Sequence, residues 1–287
     1  MDHIPTKLSP AQFAVYVEPY LSQAERGFIC QIPLYKVFNY ILYLLHTGCQ
    51  WYELPVAPDP YRPGSPEISW QAIYALFCKW CLDESWERVW IASIHTIQGR
   101  IDASVLILDG SHSLAKKGGE DVAYQGRKKA KTSNILPILD KRGYVLASTE
   151  IVAGNHNDAY QLKDNLRQAF KDLKRRGIQL CGAYLNADSA FDTREARKTC
   201  FNYGIIPNIP ENKRNRKQAK PGPKRLFNRR VYKQRYAIER TFAWIDKFKR
   251  LLVRFERREI YFYGLHCIAF AMINLRGEIK NEKNLIV

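Results

Sequence analysis

Long hydrophobic runs are missing from this sequence of 287 residues. A membrane-spanning helix needs about 20 consecutive apolar residues. The longest apolar stretch here, around Phe38–Leu45, is interrupted by Asn39 and Tyr43. The opening Met-Asp-His-Ile-Pro has neither the basic region nor the apolar core of a signal peptide. Both absences predict a cytoplasmic protein with no membrane partner. Cysteines number seven, an odd and scattered set that suits a reducing compartment. Cys78 and Cys81 have metal-ligand spacing, but no second pair or two histidines stand where a zinc site would need them. They read as thiols buried in an apolar helix. Acids are outnumbered, 28 Asp and Glu against 45 Lys and Arg, for a net charge of +17. Such an imbalance calls for a polyanionic partner. A content of 46% hydrophobic residues, with 17 Tyr, 13 Phe and 6 Trp, excludes wholesale disorder.

Residues 1–100 read as helical. Leu34, Val37, Phe38, Ile41, Leu44 and Leu45 recur at helical spacing, and Gly48 suits the helix end. Pro55, Pro58, Pro60, Pro63 and Pro66 demand a loop. Ser69 caps a further helix carrying Trp70, Ile73, Tyr74, Phe77 and Trp80, and another covers about Trp86–Ile97. Successive helices in a basic protein predict a helix-turn-helix-like DNA-binding region, set against a plain bundle.

The pattern changes near residue 103. Ser104–Leu108 is a short buried strand ending in Asp109-Gly110. Strands follow at about Thr132–Leu139 and Tyr144–Val152, joined by the turn Asp140-Lys141-Arg142-Gly143. A helix over about Ala159–Arg176 closes on Gly177. A strand at Leu180–Ala187 ends in Asp188, then come a helix at Thr193–Tyr203 and a strand at Ile205–Pro207. Two long helices, about Asn228–Leu252 and Ile260–Lys280, finish the chain. Hairpin-linked strands followed by a crossover give the element order of an α/β, ribonuclease-H-like mixed sheet flanked by helices. The expected division is a helical region at 1–100 and a catalytic domain at 101–287, with a basic loop at 211–227.

Asp109 and Asp188 each end a strand that this order places side by side, in the crevice where α/β proteins hold ligands. Glu239 sits in the following helix and completes a three-carboxylate set. Clustered carboxylates need divalent cations, and all-oxygen ligands select Mg²⁺ or Mn²⁺, two ions in phosphodiester chemistry. Taken singly, each acid reads rather as a turn former or a solvated helix residue, and spacing with the element order reverses that. Tyr232, Arg235, Glu239 and Asp246 fall at steps of 3, 4 and 7, so on a continuous helix they share a face. Ile238, Phe242 and Ile245 lie on the side left to pack inward. Asp192 is a rival ligand, and His156 a candidate for DNA or metal beside Asn157 and Asp158, which suit helix capping.

Nine basic residues and no acid lie in the 18 residues from Lys213 to Arg230: Lys213, Arg214, Arg216, Lys217, Lys220, Lys224, Arg225, Arg229 and Arg230. Arg127, Lys128 and Lys129, with Lys131, form a second cluster. Both read as contacts to the DNA backbone, which give affinity without sequence choice.

Nearly end to end, the chain resembles the DDE transposases of bacterial insertion sequences, in the IS-four/IS-five superfamily. Ile41-Leu42-Tyr43-Leu44-Leu45-His46-Thr47-Gly48-Cys49-Gln50-Trp51, then Leu54-Pro55 and Ser69-Trp70-Gln71, look like that family's helical region. Leu108-Asp109-Gly110-Ser111, Ala187-Asp188-Ser189-Ala190-Phe191-Asp192 and Tyr236-Ala237-Ile238-Glu239-Arg240-Thr241-Phe242-Ala243-Trp244 look like its three acidic motifs. The resemblance implies Asp109, Asp188 and Glu239 as metal ligands. It also implies cleavage at terminal inverted repeats with strand transfer to target DNA, in a nucleoid-associated complex that pairs two ends as a homodimer. The signature Tyr-x₂-Arg-x₃-Glu-x₆-Lys maps onto Tyr232, Arg235 and Glu239, then meets Asp246; Lys247, Lys249 and Arg250 are the nearby bases. Two other readings stand beside this one: a nuclease of the same fold, and a DNA-binding protein derived from a transposase that has lost catalysis.

Overall fold

The computed structural model describes residues 4–23, 30–157, 159–212 and 226–279. First come α1 (Pro10–Tyr16), α2 (Leu34–Thr47), α3 (Trp70–Leu82) and α4 (Ser85–Thr96). Seven strands follow: β1 (Val105–Leu108), β2 (Ser111–Ala115), β3 (Ala123–Gln125), β4 (Ala130–Ile135), β5 (Pro137–Leu139), β6 (Val145–Ser148) and β7 (Val152–Ala153). Next are α5 (Leu162–Arg175), β8 (Tyr184–Asn186), α6 (Arg194–Asn202) and β9 (Ile206–Asn208). The last elements are α7 (Arg229–Tyr232), α8 (Tyr236–Ile245), α9 (Lys249–Leu252), β10 (Val253–Arg254) and α10 (Glu259–Asn274).

Two compact units contain these elements: residues 1–97, 114–120 and 244–287, and residues 98–113 and 121–243. This differs from a single cut at residue 100. The last helix, α10, belongs with the N-terminal helices because its surface is apolar on nearly every side, with Gly264 through Asn274 all buried. Such a helix needs partners all round it. It packs on α4 and α3. Gly264 permits the approach to α3, since a Cβ there would stand 2.5 Å from Cys81 Sγ. Trp90 meets Phe270 with ring centroids 5.2 Å apart. α4 buries most of its surface in this core, leaving Arg88, His95 and Thr96 exposed.

Local signals act as the sequence predicts at several places in this unit. Ser69 Oγ accepts a hydrogen bond from Ala72 N at the start of α3. Gly48, at φ 75°, ends α2 in the left-handed conformation that glycine adopts without strain. Arg250 and Glu256 form a buried ion pair at 2.8 Å.

In the second unit a five-stranded sheet runs in the order β6-β5-β1-β8-β9. β1 is antiparallel to β5, and β5 to β6. β1 is parallel to β8, and β8 to β9. An antiparallel meander joined at its first strand to two parallel strands, reached through α5 and α6, is the ribonuclease-H-like arrangement expected from the element order. The buried row Leu162, Leu166, Ala169, Phe170 and Leu173 of α5 gives that helix its inward face.

A second sheet in this unit, with β4 antiparallel to β3 and to β7, was not legible in the sequence. Thr132–Leu139 reads as one strand but is two, because its halves serve different sheets. Tyr144–Val152 divides in the same way. Leu136 and Thr149 mark both breaks: Thr149 N donates to Leu136 O at 3.0 Å, and Leu136 N to Thr149 Oγ1 at 3.2 Å. β2 and β3 are short and partly exposed, so they lack the apolar alternation that announces a strand. Leu180–Ala187 yields only β8, since Gly182, at φ 80°, turns the chain first.

The expected helix over Asn228–Leu252 is broken. After α7 the chain tightens into a 3₁₀ turn at Lys233–Arg235, resumes as α8, stops at Ile245 and restarts as α9. Phe248, wholly buried, sits at the second break. Asp246 and Lys247 therefore lie beyond α8 and do not share its face with Glu239.

Candidate active site at two adjacent strand ends

β1 and β8 run parallel with Ile107 opposite Asn186. Two residues further on, both chains reach an aspartate, Asp109 on one and Asp188 on the other. The carboxyl ends of neighbouring parallel strands thus carry two carboxylates level with each other, where an open α/β sheet forms its crevice. All residues of this site belong to the second unit.

Asp109 is half-buried. Its Oδ1 accepts from Gly110 N at 2.9 Å and its Oδ2 from Arg235 Nη2 at 2.5 Å. Burial pushes the Asp109 carboxyl above its ordinary pKa, and the negative charge of Asp188 adds to the rise. Arg235 and the Gly110 amide oppose it without cancelling it. Arg235 stands at the end of the 3₁₀ turn. Three residues per turn bring it into line with Tyr232: its Nη1 donates to Tyr232 Oη at 3.4 Å. The Nε of Arg235 is buried and has no hydrogen-bond partner among the described residues.

Asp188 caps the short turn Ser189–Phe191, with Oδ1 accepting from Ala190 N at 2.6 Å. Asp192 has a different environment. Its side chain is fully buried, paired with Arg197 Nε at 2.8 Å and accepting from Asn212 N at 2.9 Å. Both of its oxygens are engaged in holding the chain.

Glu239 lies in the first turn of α8 and is exposed. Its neighbours hold the helix: Thr241 Oγ1 donates to Gly143 O at 3.1 Å, and Arg240 Nη2 to Arg142 O at 2.8 Å. Among the described residues no three His, Cys, Asp or Glu converge on a point that could hold a metal ion. Asp109 and Asp188 follow adjacent strands, with Arg235 paired to Asp109.

Of the basic candidates, Arg127, Lys128 and Lys129 crown the β3–β4 hairpin and are exposed. Arg229 and Arg230 are exposed on α7, and Lys247 is exposed after α8. Lys213, Arg214, Arg216, Lys217, Lys220, Lys224 and Arg225 lie outside the described residues, as does Asp158. His156 stacks on Tyr160 with ring centroids 3.6 Å apart. Asn157 Oδ1 accepts from Ala159 N at 3.0 Å in the turn before α5. Cys81 is buried and Cys78 half-buried on α3, and burial raises the pKa of both thiols.

Two residues were overlooked in the sequence: Asn186 on β8 and Asn208 on β9, paired in register and almost wholly buried. The available signal was a polar amide inside an otherwise apolar strand, since buried amides must find partners.

A family model described as a transposase DDE domain matches residues 100–274. This chain belongs to the DDE transposases. A second model, of IS4/5-family transposases, matches residues 8–90 of the same transposase. No curated protein matches it. Solved structures similar to the transposase include a Mos1 transposase paired-end complex with left transposon end, at 13% identity, covering 90% of this chain and 82% of that one, with a TM-score of 0.29. The Mos1 mariner paired-end complex with Mn is similar at 12% identity, with the same coverage and a TM-score of 0.32. Strand order and direction define the ribonuclease-H-like sheet. Membership of the family makes the transposase a DNA-cleaving and strand-transfer enzyme that uses divalent metal. No helix among the described residues is long and apolar enough to cross a membrane.

The residues present suit such a metal in chemistry. Asp109 and Asp188 offer hard oxygen donors past adjacent strand ends. Arg235 supplies a cation to one of those oxygens.

Proposed function

We propose that the transposase cuts the terminal inverted repeats of an insertion sequence and joins the ends to target DNA at a site built on Asp109, Asp188 and Glu239. The observation that carries this is the level pair of aspartates at the ends of β1 and β8. The three carboxylates would hold Mg²⁺ or Mn²⁺, two ions, which when bound supply an activated attacking oxygen and charge neutralisation at the leaving one. Asp109 and Asp188 orient by fixed backbone contacts to Gly110 and Ala190. Arg235, already on Asp109 Oδ2, places a cation beside the aspartates, suited to a phosphate oxygen.

Double-stranded DNA is held by phosphate contacts from Arg127, Lys128 and Lys129 on the hairpin, from Arg229, Arg230, Tyr232 and Arg235 around α7, and from Lys247. The residues Lys213, Arg214, Arg216, Lys217, Lys220, Lys224 and Arg225 extend this set. Residues 1–100 bind DNA as well, with α4 offering only its narrow exposed strip. Two ends are paired in a homodimer, and the work is done in the cytoplasm on the nucleoid.

The test offers the full-length protein Mg²⁺ and a duplex carrying the element's own ends, comparing wild type with Asp109→Asn. End cleavage and joining are expected in the wild type. Both vanish in the variant while DNA binding persists. Cutting without joining would indicate a nuclease of the same fold, and binding without cutting by the wild type would overturn both enzymatic readings.

A further inference from the structure

Buried asparagines in strands are anomalies that hydrogen bonding must resolve. Asn186 and Asn208 stand opposite each other in the β8–β9 pair, 0% and 1% exposed. Asn208 Nδ2 donates to Asn186 Oδ1 at 2.8 Å and to Asn228 O at 3.1 Å, while its Oδ1 accepts from Asn228 N at 2.8 Å. Asn186 Nδ2 donates to Val231 O at 2.8 Å. Asn228 is itself the cap of α7, its Oδ1 accepting from Arg230 N and Val231 N. Two strand residues thus grip the backbone on both sides of the first turn of α7.

That helix leads straight into the 3₁₀ turn whose last residue, Arg235, reaches Asp109. Asn186, the last residue of β8, also lies two residues before Asp188. The network therefore ties the Arg235 segment to the strand that leads to one aspartate and pairs with the strand leading to the other. Beyond β9, Asp192 accepts from Asn212 N at 2.9 Å, and Arg197, its partner, donates to Ile209 O at 2.6 Å.

We propose that Asn186 and Asn208 are positioning residues, which seat α7 on β8 and β9 and so hold the Arg235 guanidinium against Asp109. The importance of this for catalysis rests on the function proposed above; the placement of Arg235 does not.

The test uses full-length, metal-free protein with ¹⁵N-labelled arginine, reading the Nε–Hε resonance of Arg235, assigned by its absence in Arg235→Lys. Its Nε is buried and has no partner among the described residues, which makes that signal sensitive to displacement. Asn208→Ala should move it to the position of solvent-exposed arginines. Asn274→Ala, which removes another buried amide that donates to Ser93 Oγ at 3.1 Å, should leave it in place. Asn186→Ser serves as the second variant if Asn208→Ala does not fold.

In end cleavage with Mg²⁺, Asn208→Ala should lose at least tenfold in the wild-type background and less than twofold in Arg235→Lys. A merely structural role would give equal losses in both. An Arg235 signal that stays put in a folded Asn208→Ala protein would overturn the proposal. So would failure of both variants to fold, since the network would then be holding the core rather than the helix. A signal that moves while cleavage is undiminished supports the positioning role and counts against the catalytic reading beneath it.

Discussion

Arg235 Nη2 lies 2.5 Å from Asp109 Oδ2, across 126 positions of sequence. A carboxylate expected to receive a metal ion is thus met by a cation of the protein's own. Burial raises the Asp109 pKa despite this partner.

Competition between Arg235 and a divalent ion is open to direct measurement. Arg235→Ala should bind Mn²⁺ about tenfold more tightly, equivalent to about 1.4 kcal/mol. Electron paramagnetic resonance of free Mn²⁺ measures this without DNA. Weaker binding in the variant would mean that Arg235 assists the ion instead of opposing it.

Asp188 and Glu239 should separate stability from function. Asp188→Ala removes the acceptor for Ala190 N and should cost about 1 kcal/mol of stability, as the loss of a capping side chain does. Glu239 is exposed, so Glu239→Gln should leave the thermal midpoint unchanged. Both substitutions should abolish end cleavage. Residual cleavage in Glu239→Gln near the wild-type rate would remove Glu239 from the proposed set.

The Arg250–Glu256 pair predicts a non-additive pattern. With side chains 2% and 4% exposed, neither charge has access to water. Removing one partner strands the other, and Glu256→Leu or Arg250→Met alone should cost about 3–5 kcal/mol. The double replacement should cost less than either single change. Denaturant unfolding of the three variants measures this, and additive losses would show that the pair acts only through packing.

His266 predicts a pH dependence. Buried in α10, its imidazole is held down to about 4 from an ordinary 6.5, first by burial and then by the charge of Arg254. Between those values the unfolded chain takes up a proton that the folded chain refuses. Stability from this group is present above pH 6.5 and is lost as pH falls toward 4, by about 3 kcal/mol in full. His266→Leu should flatten that part of the curve of melting temperature against pH. An unchanged slope would mean that other groups account for it.

Phosphate binding by the hairpin should appear in salt titrations. Replacing Arg127, Lys128 and Lys129 with Ala should reduce the slope of log affinity against log salt by about 0.9 for each phosphate that these side chains neutralise. A parallel slope would place the DNA elsewhere.

By itself the sequence determined the features that local chemistry controls. Helical spacing fixed α2 and α3, Ser69 and Gly48 fixed their ends, and the apolar run before Asp109 fixed β1, because caps, turns and periodicity act within a few residues. The order of strands and helices was enough for the ribonuclease-H-like sheet, since few topologies satisfy it. It also placed the two aspartates at neighbouring strand ends.

What only the tertiary structure decided depends on residues far apart in sequence. Leu136 and Thr149 split two apparently continuous strands between two sheets. Phe248 turned inward and broke a helix that periodicity alone would have continued, so Asp246 and Lys247 left the Glu239 face. The apolar surface of α10 drew it to α3 and α4. Asn186 and Asn208, unremarkable as letters, became a buried network once β8 and β9 lay side by side. Pairing across a sheet and burial against a remote helix have no local signature, and they decided which neighbour Asp109 would have.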